Sequence, residues 1–572
     1  MRTPDVIVIL AYIAGLFAIG ILYGGKVRNT SDLFGAGGRA PWWVSGLSGF
    51  MTMFSAGTFV VWGGIAFKYG FVAVSINMCY GVAALLVGWF LAGRWKQSGI
   101  TTPAEFVRVR FGRRAVHLYT WAMMVYRLVG TGVSLYALAI LLCALLPVPE
   151  GWFLRDVATG NLSVSWAIAI FGAIVVVYTV TGGLWAVLMT DVLQFIVLNL
   201  AVAFVVPLCL REAGGISGAL AGLPPEFFRV ANAEFTWVFL AGWTAIHFFM
   251  VGAEWAFVQR YLCVPTARDA RKSAWLFGVL YLISPFFWLL PPLLYRVIRP
   301  DANPEQAYIL AAWSVLPAGM LGLMVAAMFS ATASMVSSQL NVFAGVLTQD
   351  IIGPRIRPAP DEDRLVRIGR GMTLLLGVVI TIFALLVPLL GGAEKVILSF
   401  TSLIVGPLLL PLVWALFSRR VRTGDLVLTA GICFTFGVLV RFGLAQGSWL
   451  GSLPGFRAIA EYAAVNPRNL EIFIGVILPL LILMLAERWH RNDAPGYAAF
   501  LRLAHRPKPE AALTSADELR QPLLVVGWTL AVCALAMALL ALVSPADRGL
   551  LLGCAGALGL IAVPAFLVRP AR

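Results

Sequence analysis

A line of small and hydroxyl side chains follows one face of an apolar segment near the middle of the chain. This segment, Leu321 to Asp350, reads LGLMVAAMFSATASMVSSQLNVFAGVLTQD. Residues that recur every three or four positions share a helix face, and here they are Ala327, Ser330, Ser334, Ser337 and Asn341. In a bilayer, such a stripe serves close helix packing, hydrogen bonds between helices, or coordination of a dehydrated ion. The stripe alone leaves these uses open.

An earlier apolar segment, residues 42–66, carries polar side chains along its length. Ser55-Ala56-Gly57-Thr58 falls at mid-depth and Gly63-Gly64 follows, which predicts a helix that is interrupted near the bilayer centre. Interrupted helices are tolerated in membranes where they line a cavity, and their freed carbonyl groups are suitable cation ligands. Glycine-mediated packing of an unbroken helix is the alternative.

Ionisable residues lie inside three other apolar segments. Arg127, Asp191 and Glu254 are each surrounded by apolar sequence, and a charge within a membrane indicates a functional site. Arg127 could bind an anionic solute or pair with Asp191 or Glu254. Asp191 needs a buried partner, and we expect a cation. The spacing of His247 by itself indicates only a hydrogen-bonded packing residue.

The composition excludes a soluble globular protein. Hydrophobic residues make up 60% of the 572 residues and charged residues 12%, about half the charge of a typical soluble domain. At roughly 20 apolar residues per span, about fifteen helices are predicted, and the alternating pattern of a membrane barrel is absent. The candidate spans are 5–22, 42–66, 72–93, 116–146, 164–181, 186–210, 236–262, 274–297, 318–348, 371–391, 396–417, 425–445, 469–487, 521–543 and 549–568. The predicted fold class is an all-α polytopic membrane protein.

The net charge of +15 reflects membrane topology and not nucleic-acid binding. Lys and Arg concentrate in alternate loops, around residues 94–114, 260–272, 355–370 and 419–422. The positive-inside rule therefore places the N-terminus outside and the C-terminus in the cytoplasm of a multi-pass protein in the cell membrane. We expect the first span to be a retained helix and not a signal peptide.

Other classes of site lack a sequence signal. The seven cysteines show no paired spacing, so neither a disulfide framework nor a metal site is predicted. Metal-ligand spacing, a nucleophile elbow and a phosphate loop are also missing, which argues against an enzyme. A lipid bilayer and a small-molecule solute are the expected partners, and no obligate protein partner is implied.

Two sets of five spans suggest an internal repeat. Spans two to six and spans seven to eleven each open with a glycine-interrupted helix that carries polar residues, and an odd number of spans inverts the second set. We expect the solute site between the sets. The predicted organisation is an N-terminal helix and cytoplasmic loop (1–41), repeat one (42–210), repeat two (236–417) and peripheral C-terminal helices (425–568).

Three ordered motifs resemble the sodium:solute symporter family between about residues 24 and 420. They are Thr181-Gly182-Gly183-Leu184-Trp185-Ala186-Val187 with Thr190-Asp191 and Gln194; Gln259-Arg260 preceded by Glu254; and Ala326-Ala327-Met328-Phe329-Ser330 followed by Ser334, Asn341 and Asp350-Ile351. The resemblance implies a leucine-transporter-type core of five plus five inverted helices with broken helices. It also implies Na⁺-coupled import of a small polar solute by alternating access.

The resemblance also implies an ion site. Its ligands for one Na⁺ would be the backbone carbonyls of Met51, Phe54 and Ala327 and the hydroxyl of Ser330. A second Na⁺ in some relatives would correspond to Asp191, Ser330 and Ser334. Ala331 and Ala333 stand where the family commonly has hydroxyl residues, so coupling to H⁺ through Asp191 stays open.

Solute contacts of the family correspond to Thr58, Asn77, His247 and Ser399, and Arg127 occupies the position of an arginine that binds carboxylated solutes. Met250 replaces the tyrosine gate of the sugar transporters, and their sugar-contacting lysine falls at Tyr281 or Leu282. Because a guanidinium group can hold a carboxylate through two parallel hydrogen bonds, a sugar acid or monocarboxylate is favoured over a neutral sugar. A proton-coupled transporter and, less favoured, a transporter-like sensor are the alternatives.

Overall fold

The computed structural model describes residues 3–567 apart from 25–37, 144, 358–359, 391–392, 441–452, 454, 456, 466, 506–515 and 544–547. Within these ranges the chain is helical, with only two isolated β-bridges in the loop after residue 143. The main apolar helices are α1 (Thr3–Gly24), α2 (Trp42–Met53), α3 (Thr58–Tyr69), α4 (Val72–Phe90), α5 (Arg113–Cys143), α6 (Val164–Glu212), α7 (Trp237–Ala253), α8 (Trp255–Leu262), α9 (Ala267–Ile298), α10 (Met320–Val346), α11 (Glu362–Leu386), α12 (Ala393–Ala415), α13 (Thr423–Val438), α14 (Arg468–Trp489), α15 (Ala516–Val543) and α16 (Arg548–Leu567).

The all-helical membrane fold agrees with the composition. In the described ranges, seven helices are long and apolar enough to cross a bilayer, or nine spans if each of two bent pairs counts as one. Six shorter apolar helices of 10–17 residues occupy the other predicted ranges. Every predicted span therefore contains an apolar helix, and the total number of crossings remains a prediction.

Two interrupted helices open the two predicted repeats. Helices α2 and α3 meet at an angle of 61°, and α7 and α8 meet at 52°. The first break contains the Ser55–Thr58 segment that the sequence indicated, and α3 begins with a π-helical turn, Thr58–Trp62. The second break is at Glu254, whose backbone is extended. Both predicted interruptions are confirmed.

The long helix α6 must reverse direction near its middle. Helical backbone is recorded from Val164 to Glu212, yet both halves contact the same part of α10. The ring centroids of Phe171 and Phe329 lie 5.9 Å apart, and Asp191 accepts a hydrogen bond from Ser334. A straight helix would separate Phe171 and Asp191 by about 30 Å, whereas their partners are about 8 Å apart along α10. The chain therefore turns between them, where the sequence has Gly182-Gly183.

Helix α10 is the centre of the fold. Every residue from Met320 to Val346 is buried, although the segment contains several hydroxyl side chains. A membrane helix that contacts protein on all sides can carry hydroxyls on more than one face, because each face has a protein partner. The hydroxyls of α10 consequently point to different neighbours.

Helix α1 holds the beginning of α10. The Asp5 carboxylate accepts hydrogen bonds from the backbone amides of Gly319 (2.6 Å) and Gly322 (2.9 Å). The first amides of a helix have no partner within the helix, and a carboxylate there also interacts favourably with the helix dipole. Since both helices start at this contact, α1 and α10 run parallel.

We predict that Asp5→Ala destabilises the protein, because two amides at the start of α10 lose their acceptor. The expected loss in unfolding free energy is about 1–2 kcal/mol, by analogy with helix-cap substitutions. Thermal unfolding of purified protein in detergent measures it. Asp301→Ala, which changes an exposed aspartate in a loop, is the matched control; equal melting temperatures for both variants would contradict the prediction.

Candidate functional site

The break between α2 and α3 is held open by a side chain of α10. The backbone amide of Ala56, at the break, donates a hydrogen bond to Thr332 Oγ1 at 2.9 Å. Phe54 is extended, and its amide donates to the Met51 carbonyl at 3.1 Å. Peptide groups freed by a break need partners inside the protein because lipid supplies none. Thr332 provides one of these partners.

Two contacts fix the level of α10 that faces this break. Ala56 bonds to Thr332, and the hydroxyls of Thr52 and Ser338 are 3.4 Å apart. An earlier residue of α2 thus meets a later residue of α10, so the two helices are antiparallel. The segment of α10 between Thr332 and Ser338, which includes Ser334, is therefore level with Met51 and Phe54.

Ser330 lies beyond this segment and faces another helix. Its hydroxyl is 2.5 Å from the Tyr12 hydroxyl of α1 and 2.6 Å from the carbonyl of Ala326 in the preceding turn. Ala327 belongs to the same turn. The ion ligands inferred at Ala327 and Ser330 remain predictions that these contacts do not support, because they place Ser330 against α1.

Asp191 lies at the centre of a buried polar cluster formed by four helices. Its carboxylate accepts hydrogen bonds from Ser48 of α2 and Ser334 of α10, both at 2.5 Å. Arg260 of α8 is 4.0 Å from the carboxylate and donates to Ser48 (3.1 Å) and to Ser338 (2.6 Å). Asp191 is fully buried. The predicted neighbourhood of Asp191 and Ser334 is present, with a guanidinium group beside it.

A cavity of about 90 Å³ adjoins the first break. It is surrounded by α2, α3, α4, α5, α7, α10 and α12. Three residues inferred as solute contacts, Thr58, Arg127 and His247, line it together. Ligand pockets in proteins usually measure about 300–1,000 Å³, so the cavity in this conformation is small.

Two inferred solute contacts are not placed at this cavity. The Asn77 side chain donates to the Ala73 carbonyl at 2.9 Å and is not among the lining residues described. The side chain of Ser399 lies outside the described part of the chain, although Ile397 and Thr401 on the same helix line the cavity. Asn77 completes a hydrogen bond within its own helix and Ser399 stays a prediction.

Several lining residues were missed by the sequence interpretation. Ser134 lies seven positions after Arg127 on the same helix face, and its hydroxyl is 3.1 Å from that of Ser55. Helical spacing could have identified it. Tyr80 and Trp243 form an aromatic wall with His247, whose ring centroid is 3.8 Å from that of Tyr80. Aromatic residues are too common in this chain for this wall to be recognised from sequence.

Arg127 is paired with Glu254. Arg127 Nη2 is 3.0 Å from Glu254 Oε2, and the two side chains are only 5% and 1% exposed. Of the two partners considered from the sequence, the structure selects Glu254, while Asp191 pairs with Arg260. Within the described residues, Arg127 Nε and Nη2 donate no hydrogen bond, so the contact with Glu254 is ionic. The arginine is therefore neutralised in charge but retains unused donors.

Interrupted helices around a central cavity, with buried ionisable groups beside them, define a multi-pass membrane transporter. A solved structure of a Na⁺-coupled sialic acid symporter in a substrate-bound outward-open state has the same fold, with a TM-score of 0.66, 21% identity, and coverage of 84% of this chain and 98% of that one. It supports the leucine-transporter-type core. The sequence profile of the sodium:solute symporter family matches residues 33–428. The chain belongs to this family.

The chain matches most of the length of its curated relatives. The sodium/glucose cotransporter of Vibrio parahaemolyticus is 26% identical over 77% of this chain and 85% of that protein. The sodium/sialic acid symporter of Aliivibrio fischeri is 25% identical over 84% of this chain and 92% of that protein. The human sodium/myo-inositol cotransporter 2 is 26% identical over 82% of this chain and 71% of that protein. These relatives are all named as sodium-coupled, which gives no support to coupling through H⁺.

We predict that Ser334→Ala weakens the response to Na⁺ whereas Ser330→Ala does not, because Ser334 bonds to Asp191 at the level of the break while Ser330 bonds to Tyr12 of α1. Loss of one ligand hydroxyl should raise the Na⁺ concentration for half-maximal thermal stabilisation about tenfold. Ser330→Ala should lower the melting temperature without this change. A larger Na⁺ effect in Ser330→Ala would show that the ion site lies one turn nearer to α1.

Proposed function

We propose that the protein is a Na⁺-coupled symporter that imports a small carboxylated solute, such as a sugar acid or a monocarboxylate, by alternating access. Membership of the sodium:solute symporter family supports the ion coupling. The observation that carries the solute class is the cavity beside the α2–α3 break, which has the guanidinium group of Arg127 in its wall.

The ion would bind where the break meets α10. The carbonyls of Met51 and Phe54 and the hydroxyl of Ser334 are the proposed ligands, with Asp191 as the nearest charge. The contact pattern between α2 and α10 supports this choice of residues, because it sets Ser334 level with the break. An ion bound there would link α2 to α10 and stabilise one arrangement of the two helices.

Coupling between ion and solute follows from their shared wall. The Thr52 hydroxyl is 3.4 Å from that of Ser338 on α10, and Thr52 also lines the cavity. Met335, which is next to Ser334 in the sequence, lines the cavity as well. If bound Na⁺ fixes these residues, solute binding becomes more favourable, and by reciprocity the solute strengthens Na⁺ binding by the same factor. The membrane potential adds about 2.3 kcal/mol to the driving force for transport, per charge moved, for each 100 mV.

Hydrogen-bond donors predominate among the unused groups of the cavity. Within the described residues, Arg127 Nε and Trp243 Nε1 are buried and have no acceptor, and both side chains line the cavity. Donors of this kind suit a carboxylate, and the rings of Tyr80 and Trp243 suit an apolar face of the solute. Because the present cavity is small, solute entry requires the walls to move apart.

Transport by purified protein in liposomes tests the proposal. We expect an inward Na⁺ gradient to drive accumulation of at least one carboxylate from a panel of sugar acids and short monocarboxylates, and replacement of Na⁺ by K⁺ to abolish it. Thermal-shift screening of the same panel with and without Na⁺ selects the compounds, since a ligand that binds the folded state stabilises it. Accumulation that persists in K⁺ would overturn the proposal.

We predict that Arg127→Gln removes the preference for carboxylates. Stabilisation by glucuronate should fall at least about tenfold in apparent affinity because a charge-assisted hydrogen bond is lost, whereas the response to Na⁺ alone should persist. Arg127→Gln/Glu254→Gln, which leaves no unpaired buried charge, is the control for folding. Equal affinity of wild type and variant for every carboxylate would assign the solute to other residues.

A further inference from the structure

We propose that Glu254 is an internal ligand of Arg127, which a solute carboxylate replaces, and that this exchange loosens the hinge between α7 and α8. The inference rests on the proposed function, because it assumes that the solute brings a carboxylate to Arg127. The inference assigns Glu254 a role in solute specificity. It also connects solute binding to movement of α8.

Glu254 occupies the hinge itself. It is the residue at which α7 ends and α8 begins, where the two helices bend by 52°. Its Oε2 atom accepts a hydrogen bond from the Ala256 amide at 3.2 Å and lies 3.0 Å from Arg127 Nη2. One carboxylate oxygen thus caps α8 and neutralises the arginine at the same time. The other oxygen, Oε1, has no hydrogen-bond partner in the described part of the chain.

Only the arginine of this pair reaches the solute cavity. Arg127 is a lining residue, and Glu254 is not among the lining residues described. A solute in the cavity can therefore contact the guanidinium from one side while Glu254 contacts it from the other. Arg127 Nε and Nη2 are buried and make no hydrogen bond in the described part of the chain, so a solute carboxylate that reaches the guanidinium as the cavity opens gains unused donors.

Burial makes the exchange selective for anions. Arg127 and Glu254 are 5% and 1% exposed, and removal of one partner from a buried ion pair leaves an uncompensated charge at high energetic cost. Glu254 can consequently leave Arg127 only when another negative group takes its place and when the released carboxylate is itself compensated, for which Arg260, further along α8, supplies a positive charge. A neutral polyol can fill the cavity but does not supply this charge.

The hinge also leads to the ion cluster. Helix α8 begins after Glu254 and carries Arg260, which contacts Ser48, Ser338 and Asp191. The two residues are six positions apart, which corresponds to about 9 Å of helix. A rotation of α8 that follows release of Glu254 would therefore move Arg260 relative to Asp191. This provides a physical link between the solute and the coupling ion.

Chemical rescue of Glu254→Gln by acetate tests the exchange without knowledge of the natural solute. Acetate and acetamide are nearly identical in size, differ in charge and are small enough for the present cavity. We expect Glu254→Gln to melt at a lower temperature than wild type, and acetate to stabilise it with a half-saturating concentration about tenfold lower than for wild type. Acetamide should have the same small effect on both proteins. All titrations are made at constant ionic strength.

Hydrogen–deuterium exchange tests the hinge separately. We expect amides 254–258 to exchange faster in Glu254→Gln than in wild type, with no further effect of acetate on the variant. In wild type, acetate should increase exchange at these amides because it displaces Glu254. Unchanged exchange in both proteins would refute loosening of the hinge.

Two further variants keep the test decisive. Glu254→Asp retains the charge but has a shorter side chain, so the acetate affinity of this variant should lie between those of wild type and Glu254→Gln. If Glu254→Gln does not fold, Glu254→Asp is used in its place. Arg127→Gln/Glu254→Gln should show no acetate response. Equal or weaker acetate binding in Glu254→Gln than in wild type would overturn the inference. Acetate rescue together with no Na⁺-driven uptake of any carboxylate would instead refute the proposed function and leave the ion pair exchange intact.

Discussion

The peptide groups released where α2 gives way to α3 must find partners within the protein, because a bilayer offers none. The amide of Ala56 finds its partner in Thr332, and this bond sets the depth of α10 against the break. Once Thr332 is fixed, helical geometry brings Ser334 and Ser338 to the side of α10 where α2, α6 and α8 meet. The cluster around Asp191 and the cavity beside the break both depend on this register.

The stripe of hydroxyls on α10 has more than one use. Ser330 bonds to Tyr12 of α1, so it serves contact between helices, whereas Ser334 bonds to the Asp191 carboxylate. The two residues are one turn apart and each faces a different neighbour. The members of the stripe therefore serve different neighbours, and ion binding by Ser334 remains our proposal.

The fold could be predicted from composition and glycine placement, because membrane helices must be apolar throughout and breaks must occur at flexible positions. The broken first span followed from the same reasoning, whereas the proximity of Asp191 to Ser334 was implied by the resemblance to the symporter family. The contact of Ser330 with α1 was not predicted, since periodicity identifies a helix face but not which neighbour covers it. The Asn77 side chain bonds to the preceding turn of its own helix, as a polar side chain in a membrane helix can, and its role as a solute contact stays a prediction.

Two buried ion pairs connect the predicted repeats. Asp191 and Arg127 belong to residues 42–210, while their partners Arg260 and Glu254 belong to residues 236–417. Relative movement of the repeats must stretch or break these pairs, which is costly for buried charges unless other charges replace them. The proposed cargo has the required signs, since Na⁺ can take the place of Arg260 beside Asp191 and a carboxylate can take the place of Glu254 beside Arg127. Na⁺ alone or the solute alone would release one ion pair and leave the other intact. Movement of the repeats would therefore require both ligands, which is the physical condition for symport.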